Sequence, residues 1–172
     1  MKPILLAIVS ILCVPMIAHA ESIIVQVEGT TPKQGMILSL HRFPGIDSSV
    51  VVGLTTSRGD KAVYCVFRQI LGSEKAKVKF ESSKNVSGYA FRNGIVPVLV
   101  TDTGGNVDIG DLIDSSSIPG LGERQTIAAD AMTSDPIVQS KTVGKALEAI
   151  NFAGVEKDGN GTKKKLIYCI VR

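Results

Sequence analysis

Val96-Pro97-Val98-Leu99-Val100, then Gly105-Asn106-Val107, then Ile109-Gly110-Asp111-Leu112-Ile113, is the stretch whose reading decides the fold. The valine-rich run favours an extended strand, because β-branched side chains pack well on a pleated surface and lose rotamer freedom in a helix. Gly-Asn marks a turn, and the apolar residues after it read as a return strand. At the corner between them, Gly110 can take a positive φ and the Asp111 carboxylate can accept local backbone N–H groups. Ser115-Ser116-Ser117 and Pro119-Gly120 follow as a hydroxyl-rich turn.

The rest of the chain repeats this rhythm. Short Val- and Ile-rich segments at 22–28, 35–43, 49–55, 61–68, 75–81, 88–91, 95–101 and 165–172 are separated by Gly, Pro, Asn, Asp and Ser. This spacing predicts an all-β barrel- or sandwich-like single domain over 21–172. One segment competes: Val143, Ala146, Leu147 and Ile150 recur at helical spacing, which predicts a short helix over 142–151, with Gly144 in its middle weakening it. No low-complexity linker or charge block divides the chain.

The N-terminus carries an export signal. Lys2 precedes an almost unbroken apolar run, Ile4 to Ile17, closed by Ala18-His19-Ala20, an A-x-A cleavage pattern. Residues 1–20 therefore read as a signal peptide, and the mature chain as a periplasmic or extracellular protein without membrane insertion after cleavage. Without Lys2, 18 basic and 16 acidic residues remain. That balance gives no argument for nucleic acid or for an anionic membrane as partner. The only basic run, Lys163-Lys164-Lys165, reads as a solvated strand entry.

Two of the three cysteines survive cleavage, Cys65 and Cys169. An even pair in an oxidising compartment is most simply a disulfide. Val63-Tyr64-Cys65-Val66-Phe67-Arg68 and Ile167-Tyr168-Cys169-Ile170-Val171-Arg172 are nearly the same string, and alternation puts both cysteines on an apolar face. If the two strands are neighbours the thiols are placed to pair, closing a loop of about a hundred residues worth roughly 4–5 kcal/mol. The alternative is two separately buried thiols.

The order "valine-rich strand, GDL, SSS, PG, GKALE, closing strand" resembles a β-structured domain at the C-terminal ends of bacteriophage tail-fibre and appendage proteins and related bacterial surface proteins. The residues that carry the likeness are Val96–Val100, Gly110-Asp111-Leu112, Ser115–Ser117, Pro119-Gly120 and Gly144-Lys145-Ala146-Leu147-Glu148, with 166–171 as the closing strand. Val50-Val51-Val52-Gly53-Leu54 is similar to an earlier strand of that pattern. The resemblance implies an extended segment at 142–149, against the helical periodicity, and a protein that works through self-association or a protein partner. This chain departs from that family in having a signal peptide and no fibre, and in its Tyr-Cys pairs.

Some tail-fibre terminal domains cut themselves off, so Asp111, Asp114, Ser115, Ser116, Ser117 and Lys145 are the residues that would supply nucleophile and base. The only histidine of the mature chain, His41, lies far from them in sequence, so a Ser-His-Asp triad has little support. The serines equally fit a plain turn, and the expectation is a structural or interaction role without catalysis, cofactor or metal, with the self-cleaving domain and a periplasmic small-ligand- or metal-binding module as the alternatives. A calcium loop starting at Asp102 fails its register: the third, sixth and twelfth positions hold Gly104, Val107 and Ile113. Asn106, Asp108, Asp111 and Asp114 then read as solvated acids and amides. Arg58-Gly59-Asp60 spells an adhesion tripeptide but reads as a β-turn, and Asn85 and Asn160 head formal glycosylation sequons.

Overall fold

The computed structural model describes residues 20–42, 50–71, 85–126 and 142–171. The expected strand at 75–81, and the signal segment up to residue 19, lie outside them. The described chain is all β, in ten strands. β1 (Ser22–Glu28), β2 (Ile37–Arg42), β3 (Val50–Leu54), β4 (Val63–Ile70) and β5 (Asn85–Phe91) close one barrel. β6 (Gly94–Thr101), β7 (Leu112–Ser115), β8 (Gly122–Arg124), β9 (Thr142–Ala146) and β10 (Lys164–Val171) close a second. The sequence suggested one barrel or sandwich; the chain builds two.

The two barrels share one topology and one register. In the first, β1 runs parallel to β3 and antiparallel to β5, β2 pairs β3 and β4, and β4 pairs β5. The second repeats this with β6 for β1 through β10 for β5. The match extends to single residues. Ile37 pairs Val66 and Leu38 pairs Cys65, as Leu112 pairs Lys145 and Ile113 pairs Gly144. Both ladders then shift at the next residue, Ser39 or Asp114.

A glycine starts the second strand of each barrel in the same way. Gly35 and Gly110 sit two residues ahead of their strands with φ of 82° and 96°, a region that costs a Cβ-bearing residue dearly. Gly35 donates its N–H to the Phe67 carbonyl, and Phe67 donates back to the Met36 carbonyl, at 2.9 and 2.8 Å. Gly110 and Asp111 make the same pair of bonds with Ala146, at 2.9 and 2.8 Å.

Alternation fills each barrel from its inward faces. Val25, Val27, Leu38, Val52, Cys65, Phe67 and Ala90 form one buried cluster. Val96, Val98, Val100, Ile113, Val143, Ile167 and Cys169 anchor the other. Ile37 and Val66, which belong to the first barrel's strands, are buried in this second cluster, with Phe91 packed against it. The first barrel therefore lends an apolar face to the second barrel's core, and the two are one packed body.

Three expectations need correction. Residues 142–146 form strand β9 rather than the start of a helix: Val143 and Ala146 face the core because the strand is buried against β7 and β10. Gly144 suits this close packing, since a Cβ there would lie 2.4 Å from the Ile170 carbonyl oxygen. The return strand does not pair with the valine-rich one. β6 bonds β10 and β8, and β7 bonds β8 and β9, so β8 lies between them. Finally, no disulfide joins Cys65 to Cys169; both are free and buried. Their nearly identical strings occupy non-equivalent strands, β4 of one barrel and β10 of the other, and point into separate clusters.

Candidate functional site

The hydroxyl-rich motif lands on the seam between the barrels. Ser115 ends β7 with no exposed surface. Its Oγ donates to the Ser57 carbonyl at 3.0 Å and accepts the Asp60 N–H at 2.8 Å. Its carbonyl accepts the Gly59 N–H at 3.0 Å. One serine of the second barrel thus holds the loop that follows β3 of the first. Ser116, equally buried, spends its hydroxyl on its own turn, donating to the Ile118 carbonyl at 3.1 Å and accepting the Ile118 N–H at 3.0 Å. Ser117 is exposed.

Arg58-Gly59-Asp60 is the other half of this clasp. Gly59 takes a φ of 62°, which turns the loop so that successive N–H groups face Ser115. The Asp60 carboxylate accepts the Ser39 hydroxyl and, at 2.8 Å, the Ala62 N–H. Arg58 reaches the Glu123 carboxylate on β8 and donates to Thr126 Oγ1 at 2.6 Å. Glu123 is buried and also accepts the Thr103 hydroxyl, so its charge is met from two sides. A buried carboxylate needs such partners, because removing it from water without them is costly.

Pro119-Gly120 completes the seam. Gly120, at φ 74°, accepts the Ile37 N–H at 2.8 Å and donates to the Thr55 carbonyl at 2.9 Å. A Cβ on it would meet Leu54 and Met36 at 3.0–3.3 Å. Leu99 of β6 donates to the Gly35 carbonyl at 2.8 Å. The Ser115 and Pro119-Gly120 parts of the resemblance motif therefore map onto the surface where the barrels meet.

Asp111 and Lys145 lie elsewhere on the second barrel, away from the serines. The Asp111 carboxylate accepts the Asp108 N–H at 2.8 Å, a local turn bond. Lys145 is exposed, and its Cε lies 3.5 Å from where a Cβ on Gly110 would stand. By register these two replace Met36, which lies beside Gly120, and Val66, which is buried in the second barrel's core. At the second barrel the same face ends in an acid and a lysine.

The acids and amides of the 102–114 segment do not converge. Asn106 Oδ1 accepts the Phe152 N–H at 3.0 Å, Asp108 is exposed, and Asp114 is buried with its Oδ1 accepting the Ser115 N–H at 2.8 Å. Among the described residues no three of His, Cys, Asp and Glu gather as ligands. His41 lies on the outside of β2 over Gly53, with Nδ1 3.5 Å from Glu28. Asn160 is exposed in the 158–162 turn, where Asp158 accepts the Asn160 and Thr162 N–H groups and pairs with Lys164. The Lys164 ammonium and those two amides hold the Asp158 carboxyl down at about 2.

Burial pushes both thiols up to about 12, against the smaller lowering pull of Arg92 on Cys65 and with a further raising push from Glu148 on Cys169. Reactive thiols need the opposite environment. The inter-barrel role of Arg58-Gly59-Asp60 is what sequence reasoning missed; its partner Ser115 lies 55 residues away from Asp60 and no local pattern joins them. Comparison with protein-family models, with curated proteins and with solved structures finds no match to this chain.

Proposed function

We propose that this protein is an exported structural or interaction module of the bacterial periplasm or cell surface, acting by contact rather than catalysis. The observation that carries the reading is the use made of the Ser115 hydroxyl: buried, it donates to Ser57 and accepts from Asp60, so its capacity serves to fasten one barrel to the other. A nucleophile needs a base within hydrogen-bond reach and an open approach. Ser115 and Ser116 have backbone partners and no exposed surface, while Lys145 and Asp111 stand on a different face. The export signal and the likeness to tail-fibre terminal domains add support for an assembly role through a protein partner or self-association.

The test is the intact mass of the purified protein beside that of a Ser115→Ala, Ser116→Ala, Ser117→Ala triple variant and of Asp111→Ala. The proposal expects one unbroken mature chain in every case. Internal cleavage of the wild type that either variant abolishes would replace this reading with a self-processing one.

A further inference from the structure

We infer that a second copy of this chain docks on the free corner of the second barrel, about a two-fold axis. The inference names a partner and a surface for the contact role proposed above, and rests on it. Register sets Leu112, Lys145 and Ile170 side by side on β7, β9 and β10, all pointing away from their own barrel's core. Ile109 and Asp111 flank Gly110 at the positive-φ corner that leads into this row. Ile109 is 70 % exposed and Ile170 39 %, Lys145 is exposed, and Leu112 is half-buried.

The equivalent row of the first barrel is covered, and what covers it is a barrel. Ile37, Val66 and Phe91 stand where the second barrel has Leu112, Lys145 and Ile170. Ile37 and Val66 are buried in the second barrel's core, and Phe91 packs against it. Backbone groups complete that contact: the Ile37 N–H donates to the Gly120 carbonyl, and the Gly35 carbonyl accepts the Leu99 N–H. This is the surface by which the fold meets another copy of itself. On the second barrel it leaves Ile109, Lys145 and Ile170 in water.

Head-to-tail stacking, which would repeat the contact within the chain, is closed at the first barrel. In the shared register β8 begins two residues later than β3, and this leaves the Leu99 N–H for Gly35. On the first barrel Gln26 holds the place of Leu99, but it pairs with Val51 of β3 and is buried. The receiving edge is therefore already filled.

The charges on the free corner suit a two-fold instead. The Asp111 carboxylate accepts the local Asp108 N–H, and among the described residues no ion pair holds Lys145. In an isologous contact each residue meets its opposite number's neighbour, so a face with one acid and one base is its own complement. A two-fold axis through this corner sets the Asp111 of each copy against the Lys145 of the other. The two ion pairs then frame Ile109, Leu112 and Ile170, which lose water together.

The experiment is size-exclusion chromatography with light scattering of the purified protein over a concentration series. Wild type is run beside Lys145→Glu, Asp111→Lys, the double reversal Asp111→Lys/Lys145→Glu, and Ile109→Ser, with thermal midpoints to separate lost folding from lost contact. The inference expects a wild-type dimer, weakened about tenfold or more by each single reversal and by Ile109→Ser. The double reversal restores both ion pairs with their signs exchanged, and the dimer returns. A wild type that is monomeric at every concentration overturns the inference. So does a dimer indifferent to Lys145→Glu and Ile109→Ser, or a folded double reversal that stays monomeric. Oligomers growing beyond two copies overturn it as well, by assigning the contact to head-to-tail stacking. An unbroken monomer sinks this inference and leaves the contact role standing, whereas internal cleavage sinks the contact role whether or not the chain dimerises.

Discussion

Ser115 Oγ accepts the Asp60 N–H at 2.8 Å across the seam between two barrels, 55 residues apart in sequence. Because Ser115 also donates to the Ser57 carbonyl, Ser115→Ala strips two buried bonds at once. The expected loss is about 1–3 kcal/mol, the usual consequence of leaving buried groups unpaired. Ser117→Ala, on the exposed neighbour, should stay within about 0.5 kcal/mol of wild type. Urea unfolding midpoints of the two variants check the contrast.

Arg58 and Glu123 supply a second clasp. The Arg58 side chain is 53 % exposed and Glu123 only 3 %, so water screens one end of the pair and not the other. Arg58→Met leaves the buried carboxylate with the Thr103 hydroxyl but without its cation, and about 1–3 kcal/mol should be lost, less than for a fully buried pair. Adding Glu123→Gln should return part of the loss. A double-mutant cycle with no coupling between the two positions would contradict the clasp.

Gly35 and Gly110 occupy equivalent corners with different surroundings. A Cβ at Gly35 would stand 2.4 Å from Leu166 Cδ1 and 3.0 Å from the Leu99 nitrogen, whereas at Gly110 it would meet only Lys145 Cε at 3.5 Å. Gly110→Ala should therefore cost mainly the backbone strain, about 1–2 kcal/mol, and Gly35→Ala clearly more. Thermal melts of both variants test the order.

Both thiols ionise far later in the folded protein than in the unfolded chain. Between pH 9 and about 12 the unfolded state has lost these protons and the folded state keeps them, so stability must fall as pH rises through that window. Denaturation midpoints measured up the alkaline range should decline, less steeply in Cys65→Ala. Maleimide should label neither Cys65 nor Cys169 in the native protein and both after unfolding without reductant. A residue that labels only after reduction would restore the disulfide.

How much of this was legible in the sequence depended on the range of the interaction. β1 was read at its true bounds because alternation is a local signal, and the Gly110-Asp111 corner was visible because positive φ selects glycine. The duplication was hidden. Equivalent positions agree where they face their own barrel's core, as Leu38 and Ile113 or Val25 and Val98 do, and diverge where they point away from it, as Val66, buried against the second barrel, and exposed Lys145 do. The cysteine strings misled for the same reason: any inward-facing strand of either barrel wants that alternation, so likeness of pattern did not mean neighbouring strands. The helical spacing of Val143 and Ala146 arose from a short strand buried on both sides of Gly144. The seam could not be read at all, since each of its bonds joins residues remote in sequence.

Amide hydrogen exchange at Gly59 and Asp60 tests the central claim most directly, because both N–H groups belong to an irregular loop and are held only by Ser115. The account predicts slow exchange at both, comparable to β2 and β4, with Asp60 becoming fast in Ser115→Ala while strand amides stay protected. Free-loop exchange at Gly59 and Asp60 in the wild type would contradict a clasp between the barrels.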